Sequence, residues 1–128
     1  MERAGATCKD HGKKHDRGNS RDRAARLASL KRVHGAECAY CGADVSAPEA
    51  CEQDRIVASC FYTLTNLIPA CRQCNASRGD RSIIAFILTC AEPVRACEAV
   101  RRAASLPSRS VDASLRERLD KVLANLPH

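Results

Sequence analysis

Apolar and polar positions change their rhythm several times along this chain. Residues 1–19 hold no apolar period; Gly5, Gly12 and Gly18 punctuate scattered charges, which reads as a basic mobile arm. A helical spacing then begins. Ala24, Leu27 and Leu30, with the Lys31 stem, make an apolar stripe, and Arg21, Arg23, Arg26 and Arg32 surround it. Asn19 or Ser20 is placed to cap this basic helix, which runs to about Val33 inside segment 20–35 and ends at His34-Gly35.

Residues 36–80 have no long helical period. Short apolar pieces alternate with turn residues. One strand is expected at Ile56-Val57, entered from Glu52 to Arg55, and a second extended piece from Asn66 to Ala70, stopped by Pro69. Cys38 to Gly42 and Cys71 to Asn75 read as tight turns. A helix is expected from near Asn75 to about Cys90, with a break at Gly79, and another from Pro93 to Ala104. Leu106 to Ser110 is a linker. Beyond it Leu115, Leu119, Val122, Leu123 and Leu126 fall at helical spacing, so an amphipathic helix is expected over about residues 112–126. Its apolar face suits packing on its own domain or on a protein partner.

The apolar supply is thin: two Tyr, two Phe and no Trp in 128 residues. A small domain of this kind usually needs a metal or disulfides to stay folded. Nine cysteines are available, an odd number that cannot pair completely. No secretory signal pattern is visible, and the longest apolar stretch, Ile83 to Ala91, is too short to span a bilayer. A cytoplasmic location with metal-bound rather than bridged cysteines is therefore expected. Charge is unevenly spread. Residues 1–35 carry 10 Lys/Arg against 4 Asp/Glu, residues 36–80 carry 3 against 6, and residues 81–128 carry 8 against 5. An acidic centre between basic flanks fits a metal site whose flanks grip a polyanion such as DNA or RNA.

The metal pattern is specific. Cys38-Ala-Tyr-Cys41-Gly42 is matched by Cys71-Arg-Gln-Cys74. Two residues between thiolates let one turn aim both sulfurs at a single ion, and two such turns give the tetrahedral set zinc accepts. Four protein ligands leave no open position, so a structural Zn2+ is expected. Cys51 and Cys60 belong to no pair, Cys90 and Cys97 suit packing as small hydrophobes, and Cys8 with His11 and His15 makes at most half of a second site.

Between and beside the pairs stand Glu52-Gln-Asp54-Arg55-Ile56-Val57 and Asn66-Leu-Ile-Pro-Ala-Cys71-Arg-Gln-Cys74-Asn75. Over about residues 36–80 this layout resembles the zinc-knuckle HNH endonucleases, a ββα-metal family. The resemblance implies a small α+β fold with a zinc-stabilised ββα-metal core (36–90) flanked by helices (91–128 on the C-terminal side). It also implies a catalytic Mg2+ or Mn2+ held by Asp54 and Asn75, with Asn66 fixing the loop between the strands. Arg55 stands where the family has a His base. Arginine has no acceptor and cannot take a proton, but it can clamp a phosphate, and phage-type members of the family also read Asp-Arg-Ile here. The family's Pro is Ala58, and Cys60-Phe61-Tyr62 replaces its Gly-Gly. His34, His11, His15 and Tyr62 are the candidate substitute bases. Arg72, Arg78 and Arg81 are candidate nucleic-acid contacts.

Three functions follow as expectations: an HNH-type endonuclease hydrolysing DNA phosphodiesters, a zinc-stabilised DNA-binding module that has lost its base, and a zinc-stabilised adaptor using residues 112–126.

Overall fold

The computed structural model describes residues 18–57, 62–106 and 113–126. Residues 1–17 of the expected arm (1–19), with Cys8, His11 and His15, lie outside the described residues, as do Ala58, Cys60, Phe61 and most of the Leu106–Ser110 linker.

Helix α1 spans Ser20–His34. Asn19 caps it: its side chain accepts from the Asp22 N–H, and Asp22 reaches back to the Asn19 N–H, a reciprocal capping box. The chain then forms the first cysteine turn, crosses a single 3₁₀ turn (Pro48–Ala50) and enters strand β1, Cys51–Arg55. A second 3₁₀ turn, Leu64–Asn66, leads into β2, Leu67–Cys71. The two strands pair antiparallel, with Cys51 opposite Cys71, Asp54 opposite Ile68 and Arg55 opposite Leu67. Helices α2 (Arg72–Arg78), α3 (Ile83–Ile87), α4 (Pro93–Ala104) and α5 (Ala113–Asn125) follow. The molecule is thus a small α+β fold with a two-stranded sheet among its described residues.

Three sequence expectations change. Pro69 does not stop β2; it lies inside it, opposite Gln53, and is fully buried. A two-stranded sheet leaves each strand an outer edge where a missing N–H costs no ladder bond. The Pro69 carbonyl still accepts from the Ala39 N–H at 2.8 Å. The helix expected from Asn75 begins at Arg72, because the Cys71 sulfur accepts from the Cys74 N–H and serves as its N-cap. The break expected at Gly79 is there, with Gly79 at φ +55°, a conformation side chains rarely adopt, but the helix beyond it, α3, ends at Ile87, short of Cys90. Strand β1 stops at Arg55, although the Ile56 N–H still donates to the Asn66 carbonyl at 2.8 Å.

One apolar cluster serves all these elements. Val45, Ile56, Ile68, Phe86, Ile87, Cys97, Val100 and Leu119 are buried in it, and Leu27 of α1 packs against it. Tyr40 meets Phe86 edge to face, centroids 4.9 Å apart. Leu119, Val122 and Leu123 of α5, and Leu126 just beyond it, all join this core, so the amphipathic face of α5 packs on its own chain. Cys97 is buried there and Cys90 partly so. No described helix is long and apolar enough to cross a membrane.

Candidate metal centre and the Asp54 cluster

The first cysteine turn is a miniature hairpin. The Cys38 N–H donates to the Ala43 carbonyl at 2.8 Å, the Gly42 N–H to the Cys38 carbonyl at 2.9 Å, and Glu37 bridges Asp44. Gly42 has φ +80°, a conformation that favours glycine, and a Cβ there would lie 3.0 Å from the Arg95 guanidinium carbon, so the Arg95 side chain would have to shift. The Tyr40 N–H points at the Cys38 sulfur at 3.4 Å. The second turn is the β2–α2 junction, where the Cys74 N–H meets the Cys71 sulfur at 3.4 Å.

These two turns bring Cys38, Cys41, Cys71 and Cys74 together, with their sulfurs all within 4.8 Å of one another. A tetrahedral zinc with Zn–S near 2.3 Å sets its sulfurs about 3.8 Å apart. Cys41 and Cys71 sit at 3.8 Å. The donor set therefore fits a metal ion such as zinc. The thiols also show why a cation belongs there. Burial pushes the Cys74 thiol well up, and its neighbouring cysteines push it further. Burial raises Cys41 as well. At Cys38 burial acts the same way, but hydrogen bonds from the two turns outweigh it and bring the thiol down. Four sulfurs this close cannot all ionise unless a cation joins them. Cys51 is buried beside β2 outside this set.

At the other end of the hairpin stands a different cluster. Asp54 is 8% exposed and faces α2. Its carboxylate accepts from the Tyr40 hydroxyl and from Arg78 Nη1, which lies 3.1 Å from both oxygens. Arg78 is 4% exposed. Its guanidinium also donates to the carbonyls of Arg55 (2.8 Å), Ile56 (2.8 Å) and Arg81 (3.0 Å). The expectation that Arg78 offers itself to a phosphate therefore fails: its donors are spent inside the fold, tying the end of β1 to α2. Despite burial, the Asp54 charge holds the Arg78 guanidinium above its usual range. Burial and the same carboxylate drive the Tyr40 hydroxyl well above the usual tyrosine range.

The remaining candidates are spread out. Asn66 is fully buried; its side chain accepts from the Val57 N–H (2.9 Å) and donates to the Val57 carbonyl (3.2 Å), clamping the start of the inter-strand loop. Asn75 lies half-buried on α2, with its carbonyl accepting from the Gly79 N–H. Among the described residues it is Tyr40 and Arg78, not Asn75, that touch the Asp54 carboxylate. Arg55 points away from Asp54, as strand alternation requires, and its guanidinium carbon lies 4.4 Å from the Tyr62 ring centroid. Arg72 is exposed, donating to the Glu49 carbonyl and pairing loosely with Glu52 at 3.6 Å. Arg81 is exposed, bonded to the Ser77 carbonyl and stacked on Phe86.

Of the substitute bases, His34 sits at the end of α1 with Nδ1 bonded to Arg102 at 3.0 Å. Burial, then the Arg102 charge, lowers its pKa to about 4. Tyr62 has the guanidinium groups of both Arg55 and Arg26 over its ring, at 4.4 and 5.2 Å from the centroid. Tyr40 is the member of the Asp54 cluster that spacing alone did not single out. The available signal was a large hydroxyl-bearing residue inside a metal-binding turn, in a chain with only two tyrosines.

Neither the protein-family models, nor the curated proteins, nor the solved structures compared with this chain gave a match.

Proposed function

We propose that this chain is a metal-dependent DNA endonuclease of HNH type, hydrolysing phosphodiester bonds on a zinc-stapled ββα-metal core. The observation that supports it is one arrangement: the four-cysteine cluster joins the Cys38–Gly42 turn to the β2–α2 junction, while Asp54 of β1 faces α2 and Asn66 clamps the loop. A ββα-metal nuclease needs a carboxylate held between hairpin and helix and a fixed loop. A bound Mg2+ or Mn2+ supplies Lewis-acid stabilisation of the phosphate oxygens. Asp54 and Asn75 are the residues to hold it, both through oxygen. A carboxylate offers about four lone-pair directions. Three of those on Asp54 are already directed at Tyr40 and Arg78, so a cation held there would have to share the carboxylate with them. Arg55 serves as a phosphate clamp rather than a base.

A second reading has its own observation. Because Arg78 neutralises Asp54 from within, the same scaffold suits a DNA-binding module that does not cut. Plasmid nicking with Mg2+ or Mn2+, alongside a binding titration, separates the two. Asp54→Ala alone is a poor probe, since it strands a buried guanidinium. Asn75→Ala is the cleaner variant. Nicking by the wild type that Asn75→Ala abolishes, with zinc content and DNA affinity intact, supports the enzyme. Binding without nicking under both metals supports the module.

A further inference from the structure

Cys51 is the first residue of β1 and Cys71 the last of β2, and the two stand directly opposite each other. The ladder fixes which kind of pair they make. The Ile56 N–H donates to the Asn66 carbonyl, one step beyond the Arg55–Leu67 pair. Antiparallel pairs alternate, so Asp54–Ile68 and Glu52–Ala70 are hydrogen-bonded pairs and Cys51–Cys71 is the closer, non-hydrogen-bonded kind. Such a pair sets its Cα atoms about 4.5 Å apart, within the roughly 4.4–6.8 Å that a disulfide spans. Opposite residues also send their side chains to one face of the sheet. Here both reach the core: Cys51 is buried in the apolar cluster, and Cys71, partly buried, packs against it.

The two thiols are used differently. Cys71 is one of the four sulfurs placed to share an ion, and it accepts from the Cys74 N–H at the start of α2. Cys51 stands outside that set, its sulfur donating to the Glu52 carbonyl at 3.8 Å. We infer that Cys51 is the resolving thiol of a redox-sensitive metal site: when a peroxide oxidises Cys71, Cys51 captures it in a cross-strand disulfide and the metal is lost. The inference rests on the four-sulfur site and holds whether or not the chain cuts DNA. The Cys71 sulfur attacks one peroxide oxygen, the O–O bond breaks, and the departing hydroxide takes a proton to become water, leaving a sulfenic acid. The Cys51 sulfur then attacks the Cys71 sulfur, the S–O bond breaks, and the second hydroxide leaves as water with the Cys51 proton. Two sulfurs give up two electrons, and one peroxide is reduced. Three sulfurs then remain for an ion that takes four. The Cys74 N–H also loses its acceptor, which loosens the first turn of α2, the helix that carries Asn75 and Arg78. Cys41, with its sulfur 3.8 Å from that of Cys71, is the rival partner, but it is itself one of the four ligands.

The test exposes the zinc-loaded full chain to hydrogen peroxide. A chromophoric chelator follows zinc release, and fragmentation of tryptic peptides locates the disulfides. Release of zinc together with a Cys51–Cys71 bridge is expected, both reversed by dithiothreitol and added Zn2+. Cys51→Ser keeps all four ligands. Without the resolving thiol its Cys71 is expected to go on to the sulfinic acid, so that dithiothreitol no longer restores zinc binding. Cys97→Ser, which removes another thiol buried in the core, is expected to behave as the wild type. A bridge from Cys71 to Cys41 with Cys51 recovered as a free thiol overturns the inference. So does a Cys51→Ser chain that loses and regains zinc as the wild type does, or a wild type that keeps its zinc while the peroxide oxidises free cysteine in the same tube. The bridge map is made on the wild type, so it decides the matter even if Cys51→Ser fails to fold. A chain that holds no zinc before peroxide is added overturns the four-sulfur site and this inference with it.

Discussion

The two ends of one short hairpin solve the same electrostatic problem in opposite ways. At the end where Cys51 faces Cys71, four sulfurs crowd together and call for a cation from outside. At the end where Arg55 faces Leu67, the buried charge of Asp54 meets a cation the chain itself supplies, Arg78. Both devices fasten separate parts of the fold, the first joining the Cys38–Gly42 turn to the β2–α2 junction and the second the end of β1 to α2. They differ in what breaks them. The first depends on metal supply and on thiol ionisation. The second depends on a single side chain, and its neutrality bears directly on whether Asp54 serves chemistry.

The largest effect should come from the metal end. A strong chelator should unfold the described core, because structural zinc sites contribute about 10–16 kcal/mol of apparent binding free energy. Loss of far-ultraviolet circular dichroism on chelation, restored by added Zn2+, is the expected outcome; unchanged helicity would show the fold independent of metal. At the other end, Arg78→Met leaves Asp54 buried without its partner. A loss of about 3–5 kcal/mol in urea-unfolding stability is expected, with zinc stoichiometry unchanged in the surviving folded fraction. Tyr40→Phe removes one hydrogen bond to a charged acceptor, for about 1.5–3 kcal/mol. If it costs nothing, the hydroxyl contact with Asp54 is not a stabilising one.

The smallest effect concerns pH. The folded pKa of His34, about 4, lies below the ordinary 6.5, so the unfolded chain binds the extra proton first. Its contribution is complete above about pH 6.5 and declines as pH falls toward 4. His34→Gln should flatten that part of the stability–pH curve relative to wild type, measured at saturating zinc. Identical curves would show that His34 is not the group responsible.

Much of this was legible in the residues. The paired Cys-x-x-Cys turns state their own geometry, because two residues between thiolates leave few ways to fold. Helix α4 was bounded by Pro93, and α1 by its Asn19 cap and by Gly35, all local signals. What sequence could not reveal was the use of each polar group. Arg78 looks like any surface arginine three residues past Asn75; only the approach of α2 to β1 shows that its donors are spent on Asp54 and three carbonyls. Pro69 misled because its effect depends on whether a third strand lies alongside, a tertiary fact. Likewise Arg26 sits beside an apolar stripe, and its partnership with Tyr62 spans thirty-six positions of chain.

The claim on which everything else depends is that four converging sulfurs share one ion. Native mass spectrometry of the purified chain tests it most directly, with Cys74→Ser measured in parallel. One zinc per folded chain, lost or severely weakened in the variant, is the predicted result. A compact wild-type chain carrying no metal, or one lighter by the hydrogens lost to disulfide formation among these cysteines, would contradict it.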